Sequence, residues 1–240
     1  NMGGMGFIEN NKAECMLSVL INTNLLRAAI VNKVSRYFFS SSACVYNGSK
    51  QNQTFVEGLK ESDAYPAEPE DGYGWEKLFS ERMCRHFYED FGLETRVVRY
   101  HNVYGPLGTF DGGREKAPAA ICRKIALAKM NKLKTIDVWG DGEQTRSFMY
   151  IKDCIEGTKK IFNSDLVDPY NVGSAEQVSI NQMIEMIEDI AEYKVDKIYQ
   201  LDKPKGVRGR SSNNEKIMMD LNWSPKINLK KGLSLTYEWI

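Results

Sequence analysis

One stretch, Arg36-Tyr-Phe-Phe-Ser-Ser-Ser-Ala-Cys-Val-Tyr46, begins as an apolar run with high β-propensity and ends in small polar residues. Residues 36–41 therefore predict a buried strand. A helical pattern follows at 73–91, and a second apolar strand is predicted at 95–100. Strand, helix and strand in this order predict a parallel α/β sheet, in which sites form at the carboxyl ends of the strands.

The helical pattern at 73–91 has an apolar residue at every fourth position and is followed by Gly92, a common helix end. We expect this apolar row to face the core; its members are Trp75, Phe79, Met83, Phe87 and Phe91.

Tyr73 and Lys77 are four residues apart and share another stripe of the same helix. An ammonium beside a phenol favours the phenolate, which can accept a proton from an alcohol. Ser42 and Cys44 follow the first strand. Ser, Tyr and Lys in this order are the parts needed to move a hydride between a sugar alcohol and a nicotinamide, and Cys44 is an extra part that points to further chemistry. The alternative is an ordinary surface tyrosine and lysine.

Composition narrows the function classes. The 240 residues include 32 basic and 32 acidic side chains, so there is no global basic field for nucleic acid. No apolar run approaches the roughly 18 residues of a membrane span, and no signal peptide is visible, so we expect no membrane partner. The five cysteines are scattered and the two histidines lack metal-ligand spacing, which predicts free thiols in a reducing cytoplasm and no metal site.

The rest of the chain is predicted to contain further helices and strands. It opens on a Gly-rich loop, Asn1-Met-Gly-Gly-Met-Gly6. Helices are predicted at 14–31, 116–130, 151–162, 180–193, 213–221 and 229–240, and strands at 136–139, 170–172 and 197–201.

Ser42 with Tyr73-x-x-x-Lys77 resembles the extended short-chain dehydrogenase/reductases that act on nucleotide sugars. Longer strings are similar to one group within that family, the GDP-mannose 3,5-epimerases. These strings are Met2-Gly-Gly-Met-Gly-Phe7, Ser41-Ser-Ala-Cys44, Gly112-Gly-Arg-Glu-Lys-Ala-Pro-Ala-Ala120, Trp139-Gly-Asp-Gly142, Gln144-Thr-Arg-Ser-Phe148 and Val207-Arg-Gly-Arg210.

The resemblance implies a Rossmann-like, doubly wound parallel sheet with a smaller α+β substrate domain. Residues 1–104 would be the C-terminal half of the NAD-binding domain. Residues 105–240 would be the nucleotide-sugar domain, with 147–172 returning to the Rossmann domain. Such enzymes carry a Gly-x-x-Gly-x-x-Gly loop on their first strand and an acidic residue after the second. Neither is in this sequence, so we expect a partial fold that lacks the N-terminal βαβ units.

The resemblance also implies an activity. An NAD-dependent homodimer would convert GDP-D-mannose to GDP-L-galactose through a C4-keto intermediate, on the route to L-ascorbate. Tyr73 would take the C4 hydroxyl proton, while Lys77 would lower the pKa of Tyr73 and bind the nicotinamide ribose. Ser42 would bind the C4 oxygen, and Cys44 and Lys116 would be the acid–base pair at C3 and C5. The implied substrate contacts are Gly3, Ser42, Ala43, Cys44, Asn102, Glu115, Lys116, Lys124, Gln144, Thr145, Arg146 and Arg210.

Three alternatives stay open. A UDP-sugar 4-epimerase would share Ser42, Tyr73 and Lys77 but needs no acid–base pair at C3 and C5. A 4,6-dehydratase would carry an Asp-Glu pair where this chain has Ala43-Cys44. The third is a truncated, non-catalytic paralogue that binds a nucleotide sugar without holding NAD.

Overall fold

A computed structural model describes residues 3–240. Its helices, in chain order, are α1 (Met5–Asn10), α2 (Lys12–Met16), α3 (Ser18–Val31), α4 (Tyr73–Phe91), α5 (Ala117–Asn131), α6 (Ile151–Phe162), α7 (Ile180–Ala191), α8 (Glu215–Leu221) and α9 (Leu229–Trp239). Its strands are β1 (Arg36–Ser42), β2 (Glu94–Tyr100), β3 (Val103–Tyr104), β4 (Thr135–Trp139), β5 (Thr145–Ser147), β6 (Met149–Tyr150), β7 (Tyr170–Val172), β8 (Gln177–Ser179), β9 (Asp196–Gln200) and β10 (Gly209–Arg210).

The parallel α/β prediction is confirmed by a three-stranded sheet in the order β1-β2-β7. β1 and β2 pair in parallel along their whole length, from Arg36 opposite Glu94 to Ser42 opposite Tyr100. α4 provides the crossover between them. The carboxyl ends of both strands therefore reach the same edge of the sheet, which brings the residues after β1 beside those after β2.

Two hydrophobic clusters cover this sheet. α3 and α4 pack on β1 and β2 around Leu26, Phe39, Cys84 and Val97. A second cluster joins β2, β7 and α6 and is built around the buried indole of Trp223.

A separate hydrophobic cluster forms where α5, α7 and α9 meet. A parallel pair, β4 and β9, flanks these helices, and a small sheet in the order β10-β5-β8 adjoins them. β5 connects this region to the chain near β1, because Thr145 donates a hydrogen bond to the Thr54 carbonyl oxygen. The predicted domain boundary at residues 104–105 stays a prediction.

The bounds predicted for α4 are confirmed, and Gly92 adopts the left-handed conformation at its C-terminus. The prediction that its apolar row faces the core holds for Met83 and Phe87, which pack against the cluster on β1 and β2, and is wrong for Trp75, Phe79 and Phe91, which are exposed. α4 instead buries the stripe that contains Tyr73, because the helix lies very close to the chain after β1. A Cβ atom at Gly74 would be only 2.4 Å from the Cys44 carbonyl oxygen, so the helix could not approach this closely with a side chain at that position.

The N-terminal region also differs from the prediction. Of the expected loop, Asn1 and Met2 lie outside the described residues, and helix α1 begins within it at Met5. Residues Lys12–Val31 are long and apolar enough to meet the criterion for a membrane span, with a mean hydropathy of 1.3 and 22% burial. This contradicts the expectation that no stretch approaches that length. Helices that lay an apolar face on protein meet the same criterion, and α3 packs on α4 through Leu26 and Ala29.

Candidate active site

A cavity of about 650 Å³ lies at the carboxyl ends of β1 and β2 and extends toward α5 and β10. Every predicted site residue lines it except one. The lining residues include Gly3, Ser42, Ala43, Cys44, Tyr73, Lys77, Asn102, Glu115, Lys116, Lys124, Gln144, Arg146 and Arg210. The exception is Thr145, whose fully buried hydroxyl is bonded to the Thr54 carbonyl oxygen. The placement of Thr145 as a substrate contact is therefore not supported, because its side chain holds two chain segments together.

Ser42 and Cys44 are placed by the turn that ends β1. The Ser42 hydroxyl accepts a hydrogen bond from the Cys44 backbone N–H at 3.2 Å, which caps a short helical turn at Ala43–Val45. Cys44 is only 7% exposed, yet it borders the cavity. Burial, followed by the charge of Glu70, raises the pKa of its thiol to about 11.

Tyr73 and Lys77 enter the cavity from the first turns of α4. The Lys77 Nζ lies 5.5 Å from the centre of the Tyr73 ring and 4.9 Å from that of Phe39. It pairs with the buried Glu76 at 3.2 Å. Burial, followed by the neighbouring Cys44, raises the pKa of Tyr73 above its usual range. Lys77 is already paired with Glu76 in the chain alone, so its predicted lowering of the Tyr73 pKa stays a prediction.

Lys116 immediately precedes α5 and faces the cavity. Burial lowers the pKa of its ammonium, while Cys44 and Cys154 act in the opposite sense. The pKa values of Cys44 and Lys116 are therefore shifted in opposite directions. Such a thiol and amine are suited to give and take protons within one site.

Basic side chains line another part of the cavity. Arg146, Arg210 and Lys124 were predicted, whereas Arg123 and Lys205 were not. Burial, followed by the charge of Arg210, lowers the pKa of Arg146 to about 10, and Arg146 donates a hydrogen bond to the Lys205 carbonyl oxygen at 3.1 Å. Several cations around one cavity favour a strongly anionic ligand such as a diphosphate.

Two amide side chains complete the wall. Asn102 has φ +30° and donates to the Ser147 carbonyl oxygen at 3.2 Å. Gln144 donates to the Trp139 carbonyl oxygen at 3.0 Å. Within the described residues, the buried Oε1 of Gln144 has no hydrogen-bond partner. That oxygen is therefore available to a donor on a ligand.

Sequence reasoning missed Glu70, which forms a buried ion pair with Arg210. Glu70 belongs to no motif. The only signal was its position three residues before Tyr73, in a segment that must approach the site for α4 to begin there.

All five cysteines are free, as predicted, and all five are buried. Cys84 and Cys122 pack in the cores of the helical layers. Cys44 and Cys154 both line the cavity.

Comparison with known proteins gives close relatives in plants. The chain is 48% identical over its whole length to the GDP-mannose 3,5-epimerase of Arabidopsis thaliana and covers 63% of that protein. It is 49% identical to GDP-mannose 3,5-epimerase 1 of Oryza sativa subsp. indica and covers 62% of it. The chain thus spans less than two thirds of the length of these relatives.

Solved structures share the fold. UDP-glucose 4-epimerase from Thermotoga maritima superposes with a TM-score of 0.87 at 24% identity, over 98% of this chain and 73% of the other. UDP-glucuronic acid 4-epimerase from Bacillus cereus, in complex with UDP-glucuronic acid and NAD, gives a TM-score of 0.75 at 27% identity, over 92% and 66% of the two chains. The Rossmann-like class expected from the sequence is confirmed by these similarities.

A family model for NAD-dependent epimerases and dehydratases matches residues 7–173, which carry most of the cavity wall, including Ser42, Tyr73, Lys77 and Lys116. The chain belongs to the NAD dependent epimerase/dehydratase family.

Proposed function

We propose that the protein containing this chain epimerises GDP-D-mannose at C3 and C5 to give GDP-L-galactose. The observation that carries the proposal is that Cys44 and Lys116 face the same cavity as Tyr73 and Lys77. A 4-epimerase needs only the Tyr73 and Lys77 part of this arrangement. The names of the plant relatives support the same reaction.

The part of the cavity around Tyr73 fits the nicotinamide end of NAD. Its donors are the Ser42 and Tyr73 hydroxyls and the Lys77 ammonium, and this donor set suits ribose hydroxyls and a sugar oxygen. NAD, when bound, supplies reversible acceptance of the C4 hydride. Tyr73 takes the proton of the C4 hydroxyl, Ser42 donates a hydrogen bond to the C4 oxygen, and Lys77 holds the ribose. For Lys77 to assist Tyr73, its ammonium has to loosen its contact with Glu76.

Cys44 and Lys116 act at the carbons on either side of C4. A ketone at C4 acidifies the C–H bonds at C3 and C5, since the resulting carbanion is delocalised onto the carbonyl oxygen. Inversion then requires proton removal on one face and proton delivery on the other. The two groups come from different elements, Cys44 from the turn after β1 and Lys116 from the start of α5. They can therefore approach a sugar ring from different sides.

The basic side chains Arg146 and Lys124 bind the diphosphate of the substrate, whereas Arg210 is paired with Glu70 beside Cys44. The free Oε1 of Gln144 accepts a hydrogen bond from a sugar hydroxyl or the nucleobase.

Solvent isotope exchange tests the proposal. The protein is incubated with GDP-mannose and NAD in deuterium oxide, and deuterium at C3 and C5 is measured by mass spectrometry and NMR. We expect exchange in the unaltered protein and none in Cys44→Ala or Lys116→Ala. Cys122→Ala is the matched control, because Cys122 is a buried thiol of the core between helices. Unchanged exchange in both site variants would refute the assignment.

We also propose that the protein is a cytoplasmic homodimer. Its five free cysteines suit a reducing compartment. For the dimer, α3 and α4 expose a set of apolar side chains on the face turned away from the sheet: Leu20, Ile21, Leu25, Trp75 and Phe79. A contiguous apolar surface of this kind is typical of a protein–protein contact.

A further inference from the structure

The Arg210 guanidinium contacts two acidic groups at once. Its Nη2 forms an ion pair with Glu70 Oε1, and its Nη1 lies 3.8 Å from Cys44 Sγ. Its third nitrogen, Nε, donates to Gln51 Oε1 at 2.6 Å. Arg210 is 4% exposed, so this arrangement is fixed inside the protein. The thiol and the carboxylate therefore contact the same guanidinium.

Glu70 is also joined to Cys44 through the backbone. The Glu70 N–H donates to the Cys44 carbonyl oxygen at 2.9 Å, so the two residues stay adjacent whatever occupies the cavity. Only one of the two carboxylate oxygens is used by Arg210. The other, Oε2, is buried and receives no hydrogen bond from any residue that the structure describes. An unpartnered buried carboxylate oxygen is costly and calls for an explanation.

Other charged and titratable groups face Cys44 from each neighbouring element. They are Cys15 from α2, Tyr73 from α4, Lys116 from the start of α5, Arg146 from β5 and Arg210 from β10. Although burial alone would raise it, the pKa of Glu70 is lowered by Arg210, so Glu70 is ionised at neutral pH. The same carboxylate raises the pKa of the Cys44 thiol, second only to burial.

We propose that Glu70 is a positioning residue for Cys44: its buried carboxylate occupies the charge of Arg210 and keeps the neighbouring thiol protonated. If Cys44 lost its proton, the thiolate would be a second negative charge beside the Arg210 guanidinium, which is already paired with the Glu70 carboxylate. Removal of the Glu70 charge leaves Arg210 to stabilise the thiolate instead.

The effect of Glu70 on the protonation of Cys44 does not depend on the proposed function. Only the consequence of that effect for catalysis rests on the proposed function. Cys44 begins each turnover as the thiol, ready to donate a proton to a carbanion carbon. Glu70 stays ionised throughout, because Arg210 lowers its pKa, and the charge on its unpartnered Oε2 opposes loss of the thiol proton.

The test measures the protonation of Cys44 without any turnover, so it is independent of the proposed reaction. The purified protein is treated with iodoacetamide over a range of pH. Alkylation of Cys44 is followed by mass spectrometry on the tryptic peptide 37–50, in which it is the only cysteine. Glu70→Gln removes the charge at nearly constant shape, Glu70→Asp keeps the charge, and Glu68→Gln removes an exposed carboxylate two residues away.

We expect the pH midpoint of alkylation to fall by about one unit or more in Glu70→Gln, and to stay near the original value in the other two variants. A thiolate absorbance titration, with Cys44→Ala as the blank, gives the same midpoint by a second method. An unchanged midpoint in a folded Glu70→Gln protein would overturn the proposal, as would an equal fall in Glu68→Gln. If Glu70→Gln does not fold, the Glu70→Asp variant decides. An alkylation midpoint equal to that of the unaltered protein supports the charge argument, and a lower midpoint contradicts it.

Discussion

The Lys77 ammonium lies 3.2 Å from the carboxylate of Glu76, its neighbour in α4, and so its charge is balanced before any cofactor or substrate arrives. Tyr73, one turn earlier, is buried with a raised pKa. In this arrangement the Tyr73 hydroxyl is kept protonated. For proton transfer from a substrate alcohol, we therefore expect Lys77 to loosen its contact with Glu76 when a ligand binds.

The first prediction concerns the Tyr73 hydroxyl. Tyr73→Phe removes only one oxygen, and we expect turnover of GDP-mannose to fall by about 10²–10⁴-fold, the usual contribution of a general acid–base group. Product formation measured by chromatography checks this. Tyr65→Phe is the control, because Tyr65 is 49% exposed and lies outside the cavity. Retained activity in Tyr73→Phe would assign the proton transfer to another group.

The second prediction concerns His101, which is fully buried after β2 and bonded through Nε2 to Asn171 Oδ1 at 3.0 Å. Burial lowers its pKa from 6.5 to about 3. Between these values the unfolded chain binds a proton that the folded chain does not, so stability is lost as the pH falls below 6.5. One such group contributes a slope of at most about 1.4 kcal/mol per pH unit.

We therefore expect the free energy of unfolding, measured with urea from pH 7 to pH 4, to decline less steeply in His101→Gln than in the unaltered protein. The comparison is between slopes, because the substitution also changes stability at neutral pH. His86→Gln controls for the loss of a histidine, since His86 is exposed on α4. Identical slopes in all three proteins would show that His101 is not buried in its neutral form.

The third prediction compares two ion pairs. Arg99 and Glu81 pair at 2.6 Å with side chains 3% and 4% exposed, whereas the Arg85–Glu89 pair is about 40% exposed. Arg99→Met leaves Glu81 charged and buried without its partner, which costs about 3–5 kcal/mol. Arg85→Met costs less than about 1 kcal/mol. Urea unfolding of both variants at pH 7 checks the difference, and equal losses would contradict the buried position of Arg99.

The sequence could predict that the site residues come together, because this follows from the order of strands and helices in a parallel sheet. Ser42 and Asn102 come after adjacent parallel strands, and the period of four in α4 fixes Tyr73 beside Lys77. The inward face of α4 could not be read from hydrophobicity, since the stripe that fits against the chain after β1 is the one with small and polar side chains. Glu70 was missed for a related reason: it is placed by tertiary contacts with Arg210 and Cys44, which no local pattern encodes.

The last prediction concerns the apolar face of α3 and α4. Ile21 is 62% and Phe79 50% exposed. We expect the unaltered protein to be a dimer by sedimentation and the Ile21→Glu, Phe79→Glu double variant to be a monomer, because a dimer would bury these carboxylates without partners. The Phe55→Glu, Met219→Glu variant is the matched control, since both side chains are exposed elsewhere, at 71% and 77%. A monomeric unaltered protein would refute the proposed dimer. Equal dissociation of the two variants would place the dimer contact on another surface.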